Sequence, residues 1–113
     1  KLELGNLDSS RDWGHSKDYV RGMHMILNND EPKDYIIATG DTRTVRDFCR
    51  YTFDKLGKNY QDYVTQNPKF MRPEELKFLK GDSTPIREEL GWEPEYTFET
   101  MLDEMIEFWM NNV

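Results

Sequence analysis

The chain has 113 residues, with 15 Lys and Arg against 22 Asp and Glu, a formal charge of −7 at pH 7. One domain over residues 1–113 can bury a modest core, and 6 Phe, 6 Tyr, 3 Trp and 6 Met supply bulky packing units that disordered chains lack. The acidic balance excludes a non-specific nucleic-acid binder, no apolar run reaches the ~20 residues that cross a bilayer, and the single Cys49 excludes a disulfide framework and a multi-Cys zinc site. A lone thiol suits a reducing, cytoplasmic compartment. Charge is unevenly placed: residues 1–72 carry 12 basic and 11 acidic side chains, residues 73–113 carry 3 and 11. An anionic ligand would therefore be met in the first part, where Arg11, Arg43, Arg46 and Arg72 stand.

Lys1 to Gly5 reads as the end of a strand entered from earlier chain, and the residues up to Gly14 as a loop rich in turn formers. A helix is expected from His15 or Ser16 to about Asn29, because Tyr19, Val20, Met23, Ile26 and Leu27 follow helical spacing. The β-rich run 35–39, ended by Gly40-Asp41, predicts a buried strand and a turn. Val45, Phe48, Cys49, Thr52, Phe53 and Leu56 then form one helical stripe, capped by Thr42 or Thr44 and closed by Gly57. Residues 58–72 read as irregular, with a short strand at 60–64 or 69–71. Short helices are expected at 74–79, behind Pro73, and from Ser83 or Thr84 to Leu90. The last helix runs from about Thr97 to Asn111, with Phe98, Met101, Leu102, Met105, Ile106 and Trp109 as its apolar core face. These elements make a small, helix-rich α/β unit. No strand–GxGxxG–helix fingerprint and no P-loop is present.

Two stretches offer chemistry. Arg11 precedes a helix on a loop, where a guanidinium can hold a phosphate by two bonds; the plainer reading is an Arg–Asp pair that orders the loop. Asp12 or Asp18 could fix that helix start. Arg72-Pro73-Glu74-Glu75 is the second: Pro73 stiffens the turn behind Arg72, and Glu75 could accept from a ribose diol, against the plainer reading of surface charge. Tyr51 and Lys55 match Tyr-x-x-x-Lys but sit on the solvated flank of the helix, so they are read as a surface pair. His15 and His24 lack the spacing of metal ligands, and Cys49 lies on the packing stripe. No catalytic residue is assigned.

The run Arg11-Asp12-Trp13-Gly14-His15, with Lys17-Asp18-Tyr19-Val20, resembles the GDP-mannose 4,6-dehydratase family of the extended short-chain dehydrogenase/reductase superfamily. Residues 37–42 with Val45-Arg46-Asp47-Phe48, residues 69–76 with 79–84, and Leu90-Gly91-Trp92-Glu93-Pro94 extend the resemblance in order. It implies the C-terminal, substrate-binding subdomain of such an enzyme without its Rossmann domain. It also implies that Arg11 contacts the diphosphate of GDP-mannose, Arg72 the nucleotide phosphates and Glu75 the ribose hydroxyls. The parent family is a lyase that uses NADP, whose binding motif this chain lacks; the 113 residues alone are expected to be inactive. Residues 58–68 look shorter than in many relatives, and the role of Arg43 stays open. An exposed apolar face, once cut from its partner domain, predicts a homo-oligomer. The alternatives are a stand-alone nucleotide-sugar-binding module, or a fragment of a related epimerase or reductase.

Overall fold

A computed structural model describes residues 1–72 and 79–112. The elements in chain order are β1 (Leu2–Leu4), β2 (Ser10–Asp12), α1 (Ser16–Leu27), β3 (Thr42–Thr44), α2 (Val45–Lys55), β4 (Val64–Gln66), α3 (Thr84–Leu90) and α4 (Phe98–Asn111), with single 3-10 turns at Tyr60–Asp62 and Pro68–Phe70. This is the expected small, helix-rich α/β composition. The backbone divides into two units, residues 1–11 with 43–79 and residues 12–42 with 80–113. The helix expected at 74–79 lies, but for Leu79, outside the described residues.

In the first unit β1 pairs in parallel with β4, placing Leu2 beside Val64, Glu3 beside Thr65 and Leu4 beside Gln66. Leu7, Cys49, Tyr60 and Val64 are the buried cluster, with Leu4, Val45 and Phe53 packed against it. Helix α2 starts where it does because Thr44 and Asp47 close a reciprocal cap, each side chain accepting the other's backbone N–H at 3.0 Å. The next two helical N–H groups are also satisfied, Val45 N donating to Ser9 O and Arg46 N to Leu7 O. Gly57, at φ 70°, ends the helical run with a left-handed residue that a side chain would strain.

Arg46 joins this unit's loop to its core. Its Nε and Nη2 donate to the two Asp8 carboxylate oxygens at 3.0 and 3.3 Å, and Nη1 donates to the Tyr60 hydroxyl at 3.1 Å. That fork holds the Asp8 carboxyl below its ordinary value of 3.8. A depressed carboxylate stabilises the fold above its unfolded value, and the gain disappears as pH falls through the folded one. Asp8→Asn is therefore expected to melt below the parent chain at pH 7, with the two curves converging as pH drops below 3.8. A gap that persists in stronger acid in thermal melts followed by circular dichroism would show that the pair does not set it.

The second unit is built around Trp92, which is fully buried. Its Nε1 donates to Asp18 O at 2.9 Å, and the Arg21 and Arg87 guanidinium groups lie over its ring. Gly22 lies tight against this core: an added Cβ would stand 2.9 Å from the mobile Ile37 Cδ1 and 3.1 Å from the indole nitrogen, so both would have to give way. Asp18, 1% exposed, accepts from Glu95 N at 2.9 Å, Tyr96 N at 3.2 Å and Arg21 Nη1 at 3.0 Å. It is thus a bracket for the segment behind Trp92 and not the cap of α1. That cap is His15, whose Nδ1 accepts from Lys17 N at 3.0 Å.

Two expectations fail in this unit. Residues 35–39 form no strand: no described strand pairs with them, and Ile36 is 58% exposed. Side chains replace the ladder. Asp12 Oδ1 accepts from Thr39 N at 2.8 Å and Thr39 Oγ1 at 2.6 Å, and Oδ2 accepts from Gly40 N at 2.9 Å. Arg87 Nη2 donates to Thr39 O at 2.8 Å and Ala38 O at 3.4 Å. The second failure is in α4. Phe98, Met101 and Leu102 are buried, whereas Met105 and Trp109, read as core, are 44% and 60% exposed.

Candidate functional site

Arg11 lies at the centre of β2, which pairs with β3. The side chain is half-buried, and its Nη1 donates to Ser10 O at 2.8 Å. A guanidinium on a paired strand has its Cα fixed by the ladder, so less freedom is lost when it meets an anion. Arg72 follows the Pro68–Phe70 turn, is exposed, and belongs to the same unit as Arg11. Glu75, the third expected ligand residue, lies outside the described residues. Arg46 is held by Asp8 and Tyr60 in a structural role, while Arg43, like Arg11, is half-buried on a strand, β3.

The groups set aside in the sequence stay outside the site. The Lys55 ammonium lies over the Tyr51 ring at 5.4 Å, a surface cation–π pair on one helix. Burial pushes the Cys49 thiol above its ordinary range, the opposite of what activates a nucleophile. His24 is exposed and its Nε2 lies 3.2 Å from Asn28 Nδ2. His15 has a definite tautomer. Its Nδ1 is the acceptor at the cap, so Nε2 carries the proton and donates to Glu104 Oε1 at 3.1 Å, while the ring stacks on Tyr96. No group of three or more His, Cys, Asp or Glu suited to a metal ion occurs among the described residues.

A dinucleotide, which the resemblance brings with it, does not fit the residues present. The β3–α2 junction has no glycine, and Thr44 and Asp47 already occupy each other's N–H groups there. At the β2–α1 junction the one glycine, Gly14, turns its open side to Tyr19: an added Cβ would stand 2.1 Å from that hydroxyl oxygen. Neither junction leaves the glycine-lined helix N-terminus that a dinucleotide's pyrophosphate needs.

Sequence reasoning missed the role of Asp12. Asp12 is, with Asp18, one of two candidates for the helix start, yet its carboxylate collects the N–H groups of Thr39, Gly40 and Gly81. The signal available was an Asp facing a Thr-Gly turn and a Gly-Asp turn, each offering backbone N–H groups. Which carboxylate meets which turn is set by tertiary contact.

Residues 1–105 match the sequence profile of the family described as GDP-mannose 4,6 dehydratase. Among curated proteins, the chain is similar to the GDP-mannose 4,6 dehydratase of Homo sapiens, 40% identical over 93% of this chain and 33% of that protein. It is 42% identical to GDP-mannose 4,6 dehydratase 2 of Arabidopsis thaliana, over 95% of this chain and 29% of that protein. The chain thus spans about a third of the length of the curated relatives it matches. Among solved structures, dTDP-glucose 4,6-dehydratase DesIV of Streptomyces venezuelae, with NAD and TYD bound, superposes with a TM-score of 0.86 at 25% identity, covering 99% of this chain and 34% of that one. RMD of Pseudomonas aeruginosa, complexed with NADPH, gives a TM-score of 0.86 at 24% identity over 99% and 36%, a likeness of fold.

Proposed function

Because the chain belongs to the GDP-mannose 4,6 dehydratase family, we propose that it is the nucleotide-sugar-binding part of such a dehydratase, a lyase acting on GDP-mannose. Arg11 holds the diphosphate, Arg72 meets the nucleotide phosphates from a second loop, and Glu75 accepts from the ribose hydroxyls. What carries this reading is the match over residues 1–105, with Arg11 on the paired strand β2. Two planar, permanently charged donors suit a pyrophosphate, whose oxygens accept bidentate bonds that an ammonium cannot match. The parent enzyme uses NADP, held by residues outside this chain, and works in the cytoplasm with neither nucleic acid nor membrane as partner. No helix among the described residues is long and apolar enough to cross a membrane.

Binding without turnover is the expected behaviour of the 113 residues. Calorimetric titration should show GDP bound more tightly than UDP or dTDP, and incubation with GDP-mannose and NADP should yield no 4-keto product. A preference for UDP or dTDP would favour a fragment of a related epimerase or reductase, and 4-keto product would overturn the division of labour.

The same reading includes self-association. Val20, Met23 and Leu27 share one face of α1 and are 59%, 59% and 83% exposed. An unpartnered apolar stripe of this kind drives association in water. Light scattering is expected to give a dimer or larger, and Met23→Lys with Leu27→Lys to reduce the mass; a strictly monomeric parent chain would contradict it.

A further inference from the structure

A cleft of about 480 Å³ in the second unit is lined by Thr39, Gly40, Lys80, Gly81, Asp82 and Arg87, among others. Residues 73–113 hold 11 acidic side chains and only 3 basic ones, Lys77, Lys80 and Arg87. Two of those three line this one cleft. These two cations share the cleft with two carboxylates, Asp82 in its lining and Asp12 against Thr39, Gly40 and Gly81, so the site presents both signs of charge.

The walls are already tied together. Asp12 Oδ2 accepts from Gly40 N at 2.9 Å on one side and Gly81 N at 3.3 Å on the other. Arg87 spans the same two walls, Nε donating to Ser83 Oγ at 2.7 Å and Nη2 to Thr39 O at 2.8 Å. A ligand would enter a preformed space.

The donors and acceptors left over define the ligand. Arg87 Nη1 and the Lys80 ammonium have no acceptor among the described residues. Asp82 Oδ1 accepts from Thr84 N at 3.0 Å and Thr84 Oγ1 at 2.6 Å, while its Oδ2 has no donor there. A bare anion would use the cations but face the Asp82 carboxylate. A neutral polyol would satisfy Asp82 but make little use of the remaining charged donors of Arg87 and Lys80. A phosphate monoester with nearby hydroxyls meets both, its oxygens on Arg87 and Lys80 and a hydroxyl donating to Asp82. We propose that this cleft is a binding site for a small sugar phosphate. The proposal does not rest on the nucleotide-sugar reading, since every residue named belongs to the second unit.

The test is an amide NMR titration of the ¹⁵N-labelled chain at constant ionic strength, with inorganic phosphate, glucose 6-phosphate, glucose and GDP as separate probes. The Gly40 and Gly81 amides are expected to shift saturably with both phosphates and not with glucose, the sugar phosphate binding at least about threefold tighter. Lys80→Glu, at an exposed position whose change is checked by an unaltered melting temperature, should weaken both by about tenfold or more. Asp82→Asn should strengthen inorganic phosphate and erase the preference for the sugar phosphate. Absence of a saturable shift at the two glycines, equal shifts with chloride, or unchanged binding by Lys80→Glu overturns the site. Equal affinity for the two phosphates, or a preference that survives Asp82→Asn, overturns the ligand class. GDP that displaces glucose 6-phosphate from these amides would show a nucleotide subsite instead.

Discussion

Arg11→Ala is expected to weaken GDP binding by about 10- to 100-fold, the range for losing charge-assisted hydrogen bonds to phosphate. Arg11→Lys keeps the charge but loses the planar fork, so it should fall between the parent chain and the alanine variant. Arg72→Ala should produce a loss of similar size. If both side chains grip one pyrophosphate, the double variant will lose less than the product of the two single effects, because the second arginine then holds a diphosphate that is already loosened. Glu75→Gln should leave phosphate affinity nearly unchanged and reduce the preference for GDP over its 2′-deoxy form. Titration calorimetry reads all five variants. Unchanged GDP affinity in both alanine variants would remove these arginines from the site.

The parts of this chain that local chemistry could decide were legible in its sequence. Apolar spacing defined α1, α2 and α4, Thr44 and Thr97 cap as residues of their type do, and Gly57 and Gly91 end helices with positive φ. What escaped depended on partners distant in the chain. The run 35–39 has every local mark of a strand, but no described strand lies beside it and Asp12 and Arg87 take up backbone groups at its end. Strands β2 and β3 are three residues each, too short to show alternation, so their sequence reads as loop and cap. Helix periodicity correctly grouped Met105 and Trp109 with Phe98, yet grouping residues on a face does not say how far along the helix a neighbour extends to cover it. For the site, spacing alone left Arg11 and Arg72 undecided between ligand and surface charge; the resemblance supplied their roles.

Asp18→Ala is expected to be the most damaging single change to stability. The carboxylate is 1% exposed and answers three donors: Glu95 N, Tyr96 N and the Arg21 guanidinium. Removing it leaves two backbone N–H groups without their acceptor and the Arg21 guanidinium without its buried partner. An unsatisfied buried donor costs about 1–3 kcal/mol, and breaking a buried ion pair about 3–5 kcal/mol. Arg21 retains 31% side-chain exposure and also donates to Glu93 O, so water and that carbonyl offset part of the loss. Glu95 is exposed and Tyr96 half-buried, so water also reaches the two N–H groups; the net loss expected is about 2–4 kcal/mol, well below the sum of the fully buried costs and still a large share of the roughly 5–15 kcal/mol that keeps a domain folded. Asp18→Asn retains one acceptor oxygen, so it recovers one backbone bond but not the charge and should melt between the other two. Trp92→Phe tests the other half of the bracket, since Phe fills most of the buried space but cannot donate to Asp18 O. Denaturant unfolding followed by circular dichroism measures each change. An Asp18→Ala chain within about 0.5 kcal/mol of the parent, the margin of an ordinary surface substitution, would mean that the segment behind Trp92 is held by packing alone.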